Sequence, residues 1–152
     1  MDSSIYLRVS NKDSLLYFPE NEASLFRVKL KNTLNLTGLW LIGLCSVDMV
    51  HVDVSGNTAT GASTLAITCN ICTGLIVDGS QTRVLRCLEL HSDVHVLYTN
   101  IFYVPVEVGF LDTIEFSVIT DVSKPTLFGT RLTSDSAMQP GIVSMTLHLK
   151  RV

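Results

Sequence analysis

Hydrophobic and polar residues alternate along much of the chain with the two-residue period of a β-strand. The alternation is clearest over residues 5–10, 26–31, 114–119 and 142–149. In each of these stretches one set of alternate positions is aliphatic or aromatic, and the other set is mostly polar or charged. This pattern predicts strands that place one face on a core and the other in water.

The stretch from Leu36 to Val50 is the most apolar part of the chain and contains the only tryptophan, Trp40. Both alternating sets of side chains are apolar, which predicts a strand buried on both faces. Gly38 is expected to form a turn before this strand, and Gly43 to leave room in mid-strand for a backbone or a large ring. We therefore expect the strand to pair within one sheet and to be covered by a second.

Shorter strand-like runs complete the pattern. They cover residues 15–18, 65–77, 83–90 and 94–108 and are separated by turn residues. Pro105 is expected at an edge or a bend, because proline cannot donate a hydrogen bond to a ladder. Residues 54–63 and 122–141 are polar or rich in turn residues and are predicted surface connections. About eight short strands without a convincing amphipathic helix predict an all-β sandwich or barrel of antiparallel strands.

The composition fits one domain over residues 1–152 and predicts large subunit interfaces. Hydrophobic residues make up 47% of the chain and charged residues only 16%, which is lean for an isolated soluble subunit. The net charge is −3 and the basic residues are scattered, so we expect no direct nucleic-acid binding, which needs several cations on one face. No segment reaches the roughly 20 apolar residues of a membrane span. The N-terminus also lacks the features of a secretory signal, so we expect synthesis in the cytosol.

The four cysteines are predicted to be buried, reduced thiols. Cys69 and Cys72 have the CxxC spacing of redox and zinc sites, but no second such pair is present. Residues three apart in a strand also point to opposite faces, so the two sulfur atoms are expected to diverge. Cys45 and Cys87 lie in apolar runs as well.

Two groups of side chains have the residue types of a cation site. They are His91 and His95 with Asp93, and His51 with Asp48 and Asp53. A polar turn explains the first group more simply, and the polar face of a strand explains the second. No nucleophile elbow, phosphate-binding glycine loop or paired catalytic carboxylates are apparent. Their absence does not exclude an enzyme but leaves no candidate catalytic residue, and we expect a non-enzymatic protein with no cofactor and no metal.

Several motifs occur in an order that resembles one known family. They are Tyr17, Phe18, Pro19 and Asn21 followed by Phe26; Gly38 and Trp40; Tyr103 and Pro105 followed by Ile114; and Leu147 and His148 before two basic residues. Together they resemble the minor capsid, or penton, protein of Polintons (Mavericks) and of the related adintoviruses. The family usually has an acidic residue where this chain has Leu41, and a shorter link into the last strand than residues 130–140 provide.

The resemblance implies a single jelly roll, five copies of which close the vertices of an icosahedral shell among double-jelly-roll major capsid proteins. On that basis we expect a structural homopentamer in the virion, at the capsid vertex, assembled in the cytoplasm or nucleus of the host cell. Closed rings use heterologous contacts, in which one surface patch meets a different patch on the neighbour. The low charge content is compatible with two such apolar flanks, and the surface loops would line the ring or the capsid exterior.

Two other classes of function fit the sequence. An oligomeric ligand-binding β-sandwich, lectin-like or a trimeric recognition module, would carry an aromatic and polar pocket at one loop end. The loops of this chain contain few aromatic residues. An enzyme with a jelly-roll metal site would bring histidines and a carboxylate together within the barrel.

Overall fold

The computed structural model describes residues 3–50, 63–77, 80–90, 94–119 and 142–152. Within these ranges the chain forms eleven strands and no helix. The strands are β1 (Ser4–Ser10), β2 (Leu25–Asn35), β3 (Trp40–Val50), β4 (Ser63–Cys69), β5 (Leu75–Val77), β6 (Ser80–Thr82), β7 (Val84–Leu90), β8 (Val94–Leu97), β9 (Tyr103–Pro105), β10 (Phe110–Ile119) and β11 (Ile142–Arg151). A search of the same residues for a helical membrane span finds none.

Some of the sequence-based expectations fall outside the described residues. They are the surface loop over residues 54–62, the connection over residues 122–141 with its insert at 130–140, and the candidate ligands His51, Asp53, His91 and Asp93. The last residue of the predicted loop, Ser63, is the first residue of β4.

Eight strands build two four-stranded rows, in the orders β1-β11-β3-β8 and β2-β10-β4-β7. All neighbours in these rows are antiparallel. Strand β9 joins the first sheet by pairing with β3, while β5 and β6 form a separate two-stranded hairpin. Successive strands such as β1 and β2, or β10 and β11, lie in opposite sheets, which is the interleaving of a jelly roll. The predicted all-β, single jelly-roll sandwich of about eight antiparallel strands is confirmed.

The core lies between the two sheets and is built from alternate residues of the long strands. Fully buried members include Phe26, Ile42, Leu44, Leu65, Ile67, Ile114, Phe116, Val118, Val143, Met145, Leu147 and Leu149. The rings of Phe26 and Phe116 meet across the β2–β10 pair with their centroids 5.4 Å apart. The alternating stretches of the sequence therefore place their apolar sets inward, as predicted.

Strand β3 is central in its sheet, between β11 on one side and β8 and β9 on the other. The prediction that both of its faces are buried is wrong. Trp40, Ile42 and Leu44 are buried, whereas Leu41 and Cys45 on the other face are only half-buried. The second sheet covers one side of β3, and no third layer of the described residues covers the other.

The two glycines around β3 act as the sequence predicts. Gly38 has a φ of 102°, in the left-handed region that glycine adopts without strain, and it forms the turn before the strand. A Cβ atom added at Gly43 would lie 3.0 Å from the carbonyl oxygen of Phe102 and 3.1 Å from Cδ1 of Tyr103. A backbone and a large ring therefore both approach Gly43 closely.

Three predicted strand runs are interrupted or replaced by turns. Residues 15–18 form turns, in which the carbonyl oxygen of Ser14 accepts the N–H groups of Tyr17 and Phe18. The run over 65–77 stops where the Cys72 N–H donates to the carbonyl of Cys69 over 3.2 Å. The run over 94–108 breaks between β8 and β9, and Pro105 ends β9 at the sheet edge, as expected. Some residues in these turns, such as Ile71, are fully buried. An apolar run in this sequence therefore indicates a buried segment, which is not always a strand.

Candidate assembly surfaces

The loop between β1 and β2 folds along the edge of β2 and occupies its free backbone groups. The Asn21 side chain accepts the Arg27 N–H over 2.9 Å and donates to the Arg27 carbonyl over 2.8 Å. The hydroxyl of Ser14 accepts the Lys29 N–H over 2.8 Å. Unpaired edge strands readily add a strand from another chain. These side chains therefore prevent main-chain pairing along this part of β2.

The same loop carries an exposed apolar surface, which we call the β1–β2 flank. Leu16 is 98% exposed, and Tyr17 and Leu15 are also exposed. Phe18 is half-buried and its ring centroid lies 5.9 Å from the guanidinium carbon of Arg27. Three consecutive exposed apolar side chains make this loop a candidate interaction surface, because contiguous apolar patches mark such sites.

A second apolar surface, the β7–β8 flank, lies at the other edge of both sheets. Leu97, at the end of β8, is 78% exposed, and Phe102 before β9 is exposed as well. Arg86 of β7 holds the connection between them: its guanidinium carbon is 3.6 Å from the centroid of the Tyr98 ring, and Nη1 donates to the carbonyl of Asn100 over 2.8 Å. The two flanks are at opposite edges, because β1 and β2 end the two rows on one side and β7 and β8 end them on the other.

A row of four cross-strand neighbours lies on the outer face of the first sheet. Tyr6 pairs with His148, His148 with Gly43, and Gly43 with Tyr103. The Tyr6 and His148 rings are stacked with centroids 4.4 Å apart, and the Tyr103 hydroxyl lies 2.7 Å from Nδ1 of His148. Gly43 has no side chain to separate the two outer rings. Because Gly43 has no Cβ atom, Tyr103 can reach His148 across β3.

Burial lowers the pKa of His148 below its ordinary value, and the nearby ammonium of Lys150 acts in the same direction. Burial raises the pKa of Tyr103, so the phenol keeps its proton and can donate it to the neutral imidazole. The ammonium of Lys150 lies 3.9 Å from the centroid of the Tyr103 ring. The row is thus a packed aromatic cluster in which His148 is half-buried and uncharged near neutral pH.

Asp48 and His95, two of the candidate metal ligands, belong to a polar row beside this cluster. Oδ1 of Asp48 lies 3.0 Å from Nδ1 of His95, and Oδ2 lies 3.5 Å from Nη2 of Arg8. Such exposed pairs contribute at most about 1 kcal/mol. Across the part of the chain that the structure describes, no group of three or more histidine, cysteine or acidic side chains could hold a metal ion.

The CxxC pair is arranged differently from the prediction. Cys69 ends β4 and Cys72 follows a turn, and both side chains are fully buried. A hydrogen bond with the Cys69 thiol, together with burial, raises the pKa of Cys72. The predicted divergence of the two sulfur atoms is wrong, because the segment is a turn and not a strand. All four cysteines are free, but Cys45 is half-buried and Cys87 is exposed, contrary to the expected burial.

The residues that carry the family resemblance lie in several parts of the fold. The core contains four of them, Phe26, Trp40, Ile114 and Leu147. The aromatic row contains Tyr103 and His148, Gly38 forms the turn before β3, and Pro105 lies at the sheet edge. The β1–β2 loop contains the remaining four, Tyr17, Phe18, Pro19 and Asn21. The structure does not gather them into one site. It distributes them between core, turn and surface.

Sequence reasoning missed Leu16 and Leu97 as surface residues. The alternation in 5–10 does place the Tyr6 ring on the wet face of a strand, although it does not show that the ring stacks on His148. Leu16 and Leu97 gave no such signal, since each lies in an apolar run that reads as buried until the turn is known.

A comparison with solved structures identifies the architecture of the fold. The mavirus penton protein superposes with a TM-score of 0.64 at 7% sequence identity, and the match covers 99% of this chain and 100% of that chain. The infectious bursal disease virus VP2 subviral particle matches with a TM-score of 0.28 at 12% identity, over 97% of this chain and 32% of that chain. At a TM-score below 0.5 the second match does not establish a shared fold.

No protein-family profile matches the chain, and no curated protein matches its sequence. The fold implied by the sequence resemblance is nevertheless confirmed by the structural comparison. The chain has the single jelly-roll fold of the mavirus penton protein.

Proposed function

We propose that this chain is a structural capsid subunit, a penton, that assembles into a homopentamer and closes the vertices of an icosahedral viral or virus-like shell. The observation that carries the proposal is the jelly-roll topology shared with the mavirus penton protein along the full length of both chains. The proposal includes a single domain over residues 1–152, a location in the virion, and assembly in the cytoplasm or nucleus of the host cell. It also includes a double-jelly-roll major capsid protein as the neighbour in the shell.

The two apolar flanks support a ring. A closed ring needs two different surfaces on each subunit, one for each neighbour. The β1–β2 flank, with Leu16 and Tyr17, would meet the β7–β8 flank, with Leu97 and Phe102, of the next copy. Standard interfaces bury roughly 1,600 Å² in total. The mechanism is therefore burial of apolar side chains between copies, with no chemical step.

Light scattering after size exclusion of the purified protein tests the oligomer. A pentamer has five times the 16.7 kDa mass of one chain, and negative-stain micrographs should show rings with five lobes. A monomer alone at high concentration would count against the proposal.

Charged substitutions on the flanks test the geometry of the ring. Leu16→Asp and Leu97→Asp should each abolish the pentamer without unfolding the subunit, because both side chains lie in water in the isolated chain. Leu39→Asp is the matched control: Leu39 is also exposed but lies at the end of the sandwich, before β3.

A mixture of the two flank variants gives a sharper result. Each variant keeps one intact flank, so the mixture should form dimers and no larger species. Rings formed by either variant alone would show that its flank is not in the contact.

A further inference from the structure

The CxxC segment turns at the end of β4 and brings its two thiols together. The Cys72 N–H donates to the carbonyl of Cys69 over 3.2 Å and closes a four-residue turn. Such turns hold the first and fourth Cα atoms within about 7 Å, and a disulfide spans Cα separations of about 4.4–6.8 Å. The two thiols share a hydrogen bond, and neither cysteine is in a disulfide. The turn therefore holds two thiols at a separation that a disulfide can span.

Hydrogen bonds from three other segments fix this turn. The Asn70 N–H donates to the Glu115 carbonyl in β10 over 3.0 Å, and the Glu107 N–H donates to the Ile71 carbonyl over 2.9 Å. Nη1 of Arg83 donates to the Asn70 carbonyl over 2.7 Å. Because Glu107 and Glu115 lie far from the turn in sequence, their contacts restrain it only in the folded chain. In the unfolded chain the two cysteines are joined by flexible backbone.

Burial determines when the two thiols can react. Both side chains are fully buried in the main hydrophobic core. The hydrogen bond with Cys69 and burial raise the pKa of Cys72, so its thiol is inert in the closed turn, because the thiolate is the reacting form. The same burial would protect a disulfide from reductants. The redox state of the pair is therefore set while the turn is open, and it is kept once the turn closes.

We propose that Cys69 and Cys72 are a redox pair that stays reduced in a reducing compartment and forms an intramolecular disulfide in an oxidising one. The oxidant is a small-molecule disulfide such as oxidised glutathione. The thiolate of one cysteine attacks it, forms a mixed disulfide and releases one glutathione thiol. The second cysteine then attacks the mixed disulfide as a thiolate, forms the protein S–S bond and releases the other glutathione thiol. The two electrons and two protons lost by the protein thiols are carried by the two glutathione thiols.

Folding and oxidation are linked, so each must favour the other by the same factor. We expect folding to favour the disulfide at least about tenfold, since the folded backbone already holds the turn closed. A tenfold factor equals about 1.4 kcal/mol and should raise Tm by about 3–6 °C in a chain of this size. The disulfide would then stabilise the subunit after it leaves a reducing compartment. This inference goes beyond the proposed ring and does not depend on it.

Refolding in glutathione buffers tests the pair, in the full chain with Cys87→Ala to remove the exposed thiol. One set of samples is refolded from urea at graded ratios of oxidised glutathione to the square of reduced glutathione, and a parallel set stays in urea. Both are quenched with acid, alkylated and analysed by mass spectrometry. The folded set should reach half-oxidation at a ratio at least about tenfold lower than the unfolded set.

Thermal unfolding in oxidising and reducing buffer gives the second measurement. Cys69→Ala and Cys72→Ala, each in the Cys87→Ala chain, should lose the difference in Tm between the two buffers. Cys45→Ala is the matched control and should keep the difference, because Cys45 lies outside the turn.

Three outcomes would overturn the proposal. Equal half-oxidation ratios in the folded and unfolded sets would show that the turn does not favour the bond. A lower Tm in oxidising buffer would show that the fold accommodates two thiols and is strained by a disulfide. A difference in Tm that survives Cys72→Ala would assign the redox change to another cysteine. The oligomeric state is measured separately in reducing buffer, so the failure of this proposal and the failure of the ring are distinguishable.

Discussion

Replacing Gly43 by alanine tests how closely residues 101–103 approach β3. The new methyl group would contact Cγ2 of Ile101 more closely than real Cβ atoms approach their neighbours, and it would lie 3.0 Å from the Phe102 carbonyl oxygen and 3.1 Å from Cδ1 of Tyr103. The Phe102 oxygen belongs to the backbone and cannot turn aside. The substitution must therefore displace the backbone at Phe102 or strain the Ile101 side chain.

The size of the effect follows from two opposing contributions. Overpacking of a well-packed site costs about 1–3 kcal/mol, whereas the loss of glycine from the unfolded chain stabilises the fold by about 0.4–1 kcal/mol. We expect Gly43→Ala to lower the free energy of unfolding by about 1–2 kcal/mol. Gly109→Ala is the matched control, because a Cβ atom at Gly109 would meet no atom within 4 Å, and it should leave stability unchanged or slightly raised.

Urea denaturation of both variants at one protein concentration measures the difference, and thermal unfolding should show Tm lower by about 2–4 °C for each kcal/mol in a protein of this size. Gly43→Ala should also weaken the hydrogen bond between Tyr103 and His148, which the histidine NMR signals report. Equal stability of the Gly43 and Gly109 variants would refute the close approach of β9 to β3.

Three further predictions follow from the contacts described above. Asn21→Ala removes both side-chain hydrogen bonds to the Arg27 backbone and should lower the free energy of unfolding by about 1–2 kcal/mol. Hydrogen exchange at the Arg27 amide should become faster, and unchanged exchange would show that the loop does not hold the edge of β2. His148 takes up a proton less readily in the fold than in the unfolded chain, so stability should fall as the pH drops from about 6.5 through the lower folded pKa, and His148→Gln should lose this part of the pH dependence of the urea midpoint. A thiol reagent should modify the exposed Cys87 at once and the two buried CxxC thiols only on unfolding; early reaction of the buried pair would contradict their packing.

The sequence predicts strands well where alternation is strict. Over 142–149 the inward set Val143, Met145, Leu147 and Leu149 is fully buried, because a period of two has only one arrangement that places every apolar side chain on the core. Where both sets of alternate side chains are apolar, the alternation does not show which face of the strand is buried. The half-buried outer face of β3 could not be foreseen, since its exposure depends on which distant residues, such as Ile101 beside Gly43, lie next to it.

Turns inside apolar runs are the second feature that the sequence does not predict. The segment from Cys69 to Cys72 reads as strand, yet it turns because Asn70 interacts with β10: its N–H donates to the Glu115 carbonyl and its side-chain oxygen accepts the Glu115 N–H, each over 3.0 Å. Asn70 and Glu115 are 45 residues apart in sequence, so the local sequence around Asn70 does not predict these hydrogen bonds. The surface residues Leu16 and Leu97 were missed because each lies in an apolar run, and the run alone does not show where a turn or a strand end exposes a side chain.

The hydrogen bonds from the Asn21 and Ser14 side chains to the edge of β2 have a consequence for mixtures of related proteins. A bare strand edge accepts almost any extended chain, because every backbone offers the same donors and acceptors. Where Asn21 and Ser14 occupy that edge, a neighbour can be recognised there only by its side chains. In the proposed ring, diverged copies expressed in one cell would then sort into separate assemblies as their contact residues diverge, and a single substitution on one flank would create or remove compatibility.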